Sequence, residues 1–420
     1  MTSKDLLQQT LNHKEPERIV FDMGSNAVTG IHVLALENLR NYYGLEKHPV
    51  RVIEPYQMLG LVEADLIDAI GIDVVGAWGH DNMFGYSNQP PLKLFKTFWN
   101  QEILVPEKFS TQTDSNGDLL SFPEGDSTLP ASAKMPVSGY FFDAIERQQI
   151  IDEDNLKVED NLEEFTPITD KLLNYWKVET TKASATGKGV VAGFGGTALG
   201  DIALVPGMQL KQPKGIRGIA EWYMSTIMRN DYIKEIFDMQ SMLAIENLNK
   251  IYQVVGHNID VVFLCGTDFG TQDSTFCSPE QFDDLWLPYY QRINEWIHTN
   301  TNWKTFKHSC GAVENFMDRF IDAGFDIINP VQVSAKGMNP KHLKEAYGKQ
   351  LTFWGGGINT QKTLPYGTTD QVREEVLRHC DIFAKDGGFV FNTVHNIQAH
   401  VPVENIVAMI DALKEFNSRG

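Results

Sequence analysis

The stretch W-K-T-F-K-H-S-C-G-A, residues 303–312, alternates like a β-strand and then ends in polar residues. Successive side chains of a strand point to opposite faces, so His308 and Cys310 point the same way and Ser309 points the other way. One nitrogen and one sulfur on the same face are typical of zinc sites in proteins. The alternative is a packed histidine beside an inert, buried cysteine.

Seven other short runs of β-branched and aromatic residues resemble this strand, and amphipathic segments separate them. The predicted strands are 19–22, 72–76, 190–194, 260–265, 303–308, 325–329, 351–354 and 388–392. The predicted helices are 34–44, 58–69, 215–228, 230–254, 279–298, 311–323, 339–347, 368–386 and 402–416. Eight strands that alternate with helices predict an α/β fold, a TIM-type (β/α)8 barrel, with a doubly wound sheet as the alternative.

Residues 77–150 break this alternation, because they are aromatic and rich in proline and glycine. The pair Asn116-Gly117 is a strong signal for a tight hairpin turn. We interpret 77–150 as an insertion of hairpins over the C-terminal mouth of the barrel. The whole chain, 1–420, is then predicted to be a single domain.

Composition excludes several kinds of partner. The 420 residues carry a formal net charge of -19, which repels the phosphates of nucleic acids. No run reaches the roughly 18 apolar residues of a membrane span, and the N-terminus has no secretory apolar region. Only four cysteines are present, which favours a reduced, cytoplasmic protein without disulfides.

Polar residues recur at the ends of the later strands, where TIM barrels carry their active sites. They are Asp268, His308, Cys310, Asn329, Gln332, the segment 354–359 and His395. In a closed barrel the last strand is a neighbour of the first, and His395 is the candidate for a third metal ligand. The set His308, Cys310 and His395 leaves one tetrahedral position open, as catalytic zinc sites do.

Two glycine-rich segments invite other interpretations. G-F-G-G-T-A-L-G, residues 193–200, lacks the spacing of a dinucleotide-binding motif and predicts a loop that approaches a ligand closely. W-G-G-G-I-N, residues 354–359, predicts either an anion-binding turn or simple room at the barrel rim.

Two long segments resemble the uroporphyrinogen decarboxylase superfamily: residues 266–332, which begin G-T-D-F-G-T-Q-D, and 351–380, which begin L-T-F-W-G-G-G-I-N. The resemblance implies a TIM barrel over essentially the whole chain. Its decarboxylases bind the acidic side chains of a tetrapyrrole through arginines after the first strand. Here that region reads F-D-M-G-S-N-A-V-T-G-I-H, with no arginine between Arg18 and Arg40. Their catalytic aspartate corresponds to His80, beside Asp81, so decarboxylation of uroporphyrinogen is disfavoured.

The chain more closely resembles the superfamily's zinc-dependent methyltransferases, which exchange methyl groups with a corrinoid protein. That resemblance makes His308 and Cys310 zinc ligands. It places His395, in V-H-N-I-Q-A-H-V-P-V-E-N (394–405), at a third position that is usually cysteine. Because no D-x-H-x-x-G cobalamin signature is present, the corrinoid is expected on a separate protein.

The predicted function is therefore zinc-dependent methyl transfer between a small donor (a methyl ether, a methanol-like compound or a thiol) and the cobalt of that partner. Asp268 and Gln332 are the candidate catalytic groups, through hydrogen bonds to the ligands or the substrate. The candidate substrate-binding residues are His80, Tyr140, Asn329 and Trp354. The alternatives are a metal-free decarboxylase of uroporphyrinogen or another acid, a non-catalytic binding protein and a purely structural zinc site.

Overall fold

The computed structural model describes residues 1–419, and it contains sixteen strands over that range. In chain order they are β1 (Val20–Phe21), β2 (Val50–Glu54), β3 (Leu59–Gly60), β4 (Val74–Ala77), β5 (Leu92–Lys96), β6 (Glu102–Pro106), β7 (Thr111–Thr113), β8 (Leu119–Ser121), β9 (Ala133–Met135), β10 (Asp143–Ala144), β11 (Gly189–Ala192), β12 (Val261–Cys265), β13 (Lys304–His308), β14 (Ile327–Asn329), β15 (Thr352–Trp354) and β16 (Phe389–Phe391).

Thirteen α-helices accompany them in the same range. They are α1 (Ser3–Leu11), α2 (Val33–Tyr42), α3 (Ala64–Ile70), α4 (Asp170–Ser184), α5 (Ile219–Met228), α6 (Asn230–Val255), α7 (Pro279–Leu285), α8 (Leu287–Asn300), α9 (Met317–Asp322), α10 (Pro340–Tyr347), α11 (Thr363–Tyr366), α12 (Thr369–Phe383) and α13 (Val403–Asn417). Within residues 1–419, no helix combines the length and the hydropathy that a bilayer crossing requires.

Eight parallel strands form one sheet in the order β1-β16-β15-β14-β13-β12-β11-β4. The two ends of this sheet approach each other, because the Asp73 amide before β4 donates a 2.8 Å hydrogen bond to the carbonyl of Phe21 in β1. Every one of the eight predicted strands is a strand of this sheet. The prediction of a TIM-type barrel is confirmed.

The barrel interior is filled by one buried side chain from each strand of this sheet. These residues are Val20, Val74, Val191, Val261, Phe306, Ile327, Trp354 and Val390. Leu6, Leu7 and Leu11 of α1 join the cluster and cover the end of the barrel at which the strands begin. Burial of each such aliphatic or aromatic side chain stabilises the fold by about 1.5–3 kcal/mol. The polar strand ends therefore lie at the opposite, open mouth.

Two smaller sheets lie outside the barrel: β10-β9-β8-β7 is antiparallel, and β3-β2-β6-β5 is mixed, because β2 pairs with β6 in parallel. The predicted hairpin at Asn116-Gly117 joins β7 to β8, and Gly117 adopts a φ of +90° in its turn. The second sheet also contains β2 and β3, which precede the predicted insertion. The helix predicted to begin at 58 therefore begins only at Ala64.

Two further helix predictions need correction, and α1, α4 and α11 were not predicted. The helix predicted over 279–298 is interrupted at Trp286, since Pro288 lies in the first turn of α8 and lacks an amide hydrogen. The helix predicted over 311–323 starts later, because Gly311 has a φ of +91°. No helix was predicted where α4 lies, and the reason is its sparse apolar pattern: in fifteen residues only Trp176, Thr180 and Ala183 are buried.

Candidate metal centre at the barrel mouth

The three predicted metal ligands meet at the mouth of the barrel. His308 is the last residue of β13, Cys310 follows two positions later, and His395 lies in the loop after β16. One candidate ligand atom from each residue lies within 4.8 Å of the other two. Cys310 Sγ is 3.3 Å from His308 Nε2, and the two imidazole centres are 5.5 Å apart at an interplanar angle of 77°.

The tautomer of His308 is set by Asn329. The Asn329 Nδ2 group donates to the carbonyl of Trp354 at 2.8 Å, so its Oδ1 must face the ring of His308. Oδ1 lies 2.5 Å from His308 Nδ1 and can only accept, which places the proton on Nδ1. The lone pair of Nε2 therefore points towards Cys310. Burial lowers the pKa of His308 to about 4, so the ring is neutral at pH 7 and ready to bind a metal.

The turn that carries Cys310 is held by side chains from neighbouring loops. Asp268 Oδ1 accepts from the Cys310 amide at 2.6 Å, and Gln332 Oε1 accepts from the Gly311 amide at 2.8 Å. Ser309 points the other way, as predicted, and its hydroxyl accepts from the Phe269 amide at 2.9 Å. We call residues 308–311 the ligand turn. The position of Sγ is thus fixed through the backbone on both sides.

The Cys310 thiol is neutral in this environment. Burial, and next the carboxylate of Asp268, raise the pKa of Cys310 well above its usual value. Burial also raises the pKa of Asp268. A divalent metal must therefore displace a proton from Sγ as it binds, because the thiolate is the ligand form.

His395 is held less firmly than His308. Its Nδ1 accepts a 2.8 Å hydrogen bond from the Asn396 amide, so in this arrangement the proton resides on Nε2. A metal would replace this hydrogen bond at Nδ1 or require the ring to turn. Burial, followed by the proximity of His308, lowers the pKa of His395 to about 4, and the ring is neutral at pH 7. The donor set of two neutral imidazoles and one thiol fits zinc with a fourth position left open.

Lys307 is a buried residue of the site that the sequence analysis missed. Its ammonium donates to the carbonyls of Thr267 and His308 and lies 5.0 Å from the ring centre of Phe269. It ties the loop after β12 to the end of β13 and places a positive charge near the thiol. The sequence feature that indicates this buried lysine is its position between Phe306 and His308, in a strand of the buried barrel sheet.

The predicted substrate-binding residues do not form one pocket. Trp354 is fully buried in the barrel interior, where its indole N–H donates to Asp22 at 2.8 Å. Asn329 is also fully buried and uses its amide on His308 and Trp354. Both side chains are thus engaged inside the protein, and the substrate-binding roles of Asn329 and Trp354 stay predictions. An alternating pattern gives the face of a residue but not its depth.

The other two predicted substrate-binding residues lie in separate clusters. The carbonyl of Tyr140 is bonded to His32 at 2.9 Å, and its ring packs against His400 with centres 4.2 Å apart. His80 contacts Asp81 at 2.7 Å and packs edge-on against Tyr175. These contacts place both residues in the loops and hairpins beside the barrel.

The glycines of 354–359 serve packing. A Cβ at Gly357 would lie 2.4 Å from the Phe391 ring, and one at Gly355 would lie 2.9 Å from the Thr393 carbonyl. These contacts favour the interpretation of simple room at the rim, since β15 and β16 approach too closely for side chains. By contrast, a Cβ at Gly195 or Gly196 would meet nothing within 4 Å.

Comparisons with known proteins support the fold and the family resemblance. A curated uroporphyrinogen decarboxylase from Ruthia magnifica subsp. Calyptogena magnifica is 24% identical over 192 residues, 45% of this chain. The chain spans about half the length of that relative, 50% of it. A solved methyltransferase from Methanosarcina mazei superposes over 99% of both chains with a TM-score of 0.53 at 14% identity, which supports the barrel fold.

The family model of uroporphyrinogen decarboxylase (URO-D) matches residues 210–416. This segment contains β12 to β16 and all three candidate ligands. The predicted resemblance is confirmed: residues 210–416 of this chain match the uroporphyrinogen decarboxylase family.

Proposed function

We propose that this protein is a zinc-dependent methyltransferase that exchanges a methyl group between a small donor and the cobalt of a separate corrinoid protein. The observation that carries the proposal is the convergence of His308, Cys310 and His395 at the barrel mouth, with ligand atoms within 4.8 Å of one another. The fold shared with the Methanosarcina methyltransferase supports it. A small donor would reach the ligands from the open mouth.

When bound, zinc would supply a Lewis acid that polarises the oxygen or sulfur of the substrate. His308 and His395 would bind it as neutral ligands, and Cys310 would contribute the only negative charge of the three. A ligand set with one thiolate neutralises less of the metal's positive charge than a ligand set with two thiolates. We therefore favour the demethylating direction, in which the carbon–oxygen bond of a methyl ether or methanol-like donor breaks. The electron pair of that bond stays on the oxygen, and the Co(I) pair forms the new cobalt–carbon bond.

The remaining residues of the centre would position these ligands. Asp268 and Gln332 contact the backbone of the ligand turn, so we assign them to holding Cys310 in place. Asn329 would keep the His308 lone pair on Nε2. Lys307 would offset part of the negative charge that Cys310 acquires when its proton leaves.

The experiment that tests the proposal begins with the zinc content of protein purified under metal-replete conditions. We expect about one zinc per chain, and a several-fold loss in Cys310→Ala with the fold intact by circular dichroism. Cys277→Ala is the matched control, since Cys277 is also a free, half-buried cysteine and should leave the zinc content unchanged. Zinc retained in full by Cys310→Ala would remove this residue from the site.

The second step measures methyl transfer from methoxybenzene, methanol or a methyl thioether to cob(I)alamin, free or on a corrinoid protein. Formation of methylcobalamin is followed by its visible spectrum. We expect transfer only with the added corrinoid and only in the zinc-loaded protein. The decarboxylase alternative makes the opposite prediction, because activity on an acid would survive the double substitution of His308 and Cys310 by alanine.

A further inference from the structure

A cavity of about 230 Å³ lies between the helices α4 and α6, beside the turn that follows β11. Its walls include Trp176 of α4, Ile251 of α6 and the two glycines of the turn, Gly195 and Gly196. The segment 164–169, which we call the strap, also lines it. The three candidate metal ligands lie instead in the loops after β13 and β16. The cavity is therefore a separate place in the fold, which metal binding does not explain.

The strap is attached to α6 by one side chain. Asn247 Oδ1 accepts from the Ile168 amide at 2.7 Å, and Asn247 Nδ2 donates to the Thr166 carbonyl at 2.9 Å. Both ends of this amide are thus used on the strap, and Asn247 itself lines the cavity. The cavity is bounded on this side by a segment that is fixed to α6.

Gln240 offers the cavity a hydrogen-bond acceptor. Its Nε2 donates to the carbonyls of Gly196 and Ala198 at 3.0 and 3.3 Å. Carbonyls can only accept, which fixes the orientation of the Gln240 amide. Its Oε1 then accepts no hydrogen bond from residues 1–419, although the side chain lines the cavity and the residue is only 3% exposed. Because buried polar groups nearly always have a partner, this oxygen indicates a ligand that carries a donor.

The charges around the cavity favour a neutral ligand. Glu164 is the only charged residue among its described lining residues. The two carboxylate oxygens of Glu164 accept from the Arg217 guanidinium at 2.8 and 3.0 Å, and Arg217 is buried. An ion in the cavity would find no free counter-charge, and the burial of an unpaired charge is costly.

The size and the walls of the cavity fit an aromatic molecule. Trp176 and Phe194 both line it, with ring centres 4.8 Å apart and an interplanar angle of 82°. Aromatic rings pack favourably against such edge-to-face partners. An apolar cavity of about 150 Å³ holds one benzene ring, so this larger one has room for about one ring or two fused rings.

We propose that the cavity between α4 and α6 binds a small, neutral aromatic molecule that carries one hydrogen-bond donor. Trp176 and Phe194 would contact its ring, and Gln240 Oε1 would accept from its N–H or O–H. Gly195 and Gly196 leave open space at this wall, since a Cβ at either one would meet nothing within 4 Å. The molecule would bind without touching the metal centre, so this inference stands apart from the proposed methyl transfer.

The test compares two probes, indole and benzofuran, by titration calorimetry on the zinc-loaded protein. Benzofuran has the shape of indole but an oxygen in place of its N–H. We expect indole to bind about fivefold more tightly, the factor typical of one neutral hydrogen bond. Ala244→Leu, which fills the cavity from α6, should abolish the binding of both probes. Ala185→Leu, at the exposed end of α4, is the matched control and should change neither affinity.

Two further measurements locate the bound molecule. Removal of zinc with a chelator should leave the affinity for indole unchanged, and a crystal structure with indole should show it between α4 and α6. If thermal unfolding shows that Ala244→Leu is destabilised, this crystal structure decides in its place. The inference is overturned by a lack of indole binding, by equal affinities for indole and benzofuran, or by indole that binds at the metal centre. Full binding by a stable Ala244→Leu variant would contradict it as well.

Discussion

Two turns at the mouth of this barrel, one after β13 and one after β11, are built in opposite ways. The ligand turn after β13 is held at Cys310, Gly311 and Ser309 by side-chain hydrogen bonds, and its glycine is enclosed. A Cβ at Gly311 would lie 2.4 Å from the backbone of Gly270. The turn after β11 contains Gly195 and Gly196, both with positive φ, and open space surrounds them.

The difference separates two tasks. A metal centre benefits from ligands held in advance, because every side chain already fixed costs no further entropy when the ion binds. A loop that receives a ligand of variable shape benefits from open space around its backbone, and the turn after β11 has such space. The Cys310 thiol belongs to the clamped turn.

The largest effect is expected from an alanine at Gly311, compared with one at Gly195. Gly311→Ala combines a φ of +91° with contacts to Gly270 and Thr271 that are too short, and should cost on the order of 3 kcal/mol of stability. Gly195→Ala meets only the backbone preference at a φ of +78°, or about 1 kcal/mol. Denaturant unfolding and zinc content measure both variants. The comparison breaks down if the two variants lose stability and zinc equally.

A smaller effect is expected at Asn329, which supports the ligand turn from the end of the neighbouring strand β14. Asn329→Ala removes the acceptor that fixes the His308 tautomer and should weaken zinc binding by about 10–100-fold. Competition with a chromophoric chelator measures this affinity. Asn300→Ala is the control, since Asn300 makes a single hydrogen bond to the Trp296 carbonyl at an exposed helix end. Equal zinc affinity in Asn329→Ala and the unsubstituted protein would show that His308 needs no such support.

The same contrast explains what the sequence predicts and what it does not. The eight strands and the triad of His308, Cys310 and His395 follow from local patterns: alternation within a strand and polar residues at its end. The depth of Trp354 and Asn329 does not, because it depends on how far each strand is staggered in the closed sheet. Asn329 pairs with His308 at the end of its strand, yet its side chain is fully buried, and Trp354 lies in the barrel interior.

The sequence pattern does not predict the contacts of residues in long connections. Tyr140 lies between β9 and β10, and its contacts with His32 and His400 join segments that are far apart in the sequence. Lys307 was missed for a different reason, since an alternating strand with a lysine usually exposes it, whereas here the aromatic rings of Phe269 and Phe320 cover it.

The smallest effect is expected on the pH dependence of zinc affinity. In the clamped turn the ligands are already in place, so the main change on zinc binding is the loss of the Cys310 thiol proton. Both imidazoles have pKa values near 4 and are neutral above pH 5, whereas the raised pKa of Cys310 keeps its thiol protonated. Between pH 6 and 8 zinc should therefore displace one proton, and its affinity should rise about tenfold per pH unit. Cys310→Ala should flatten this slope towards zero. A slope near two would mean that a histidine is protonated as well, and the neutral imidazole pair would then be wrong.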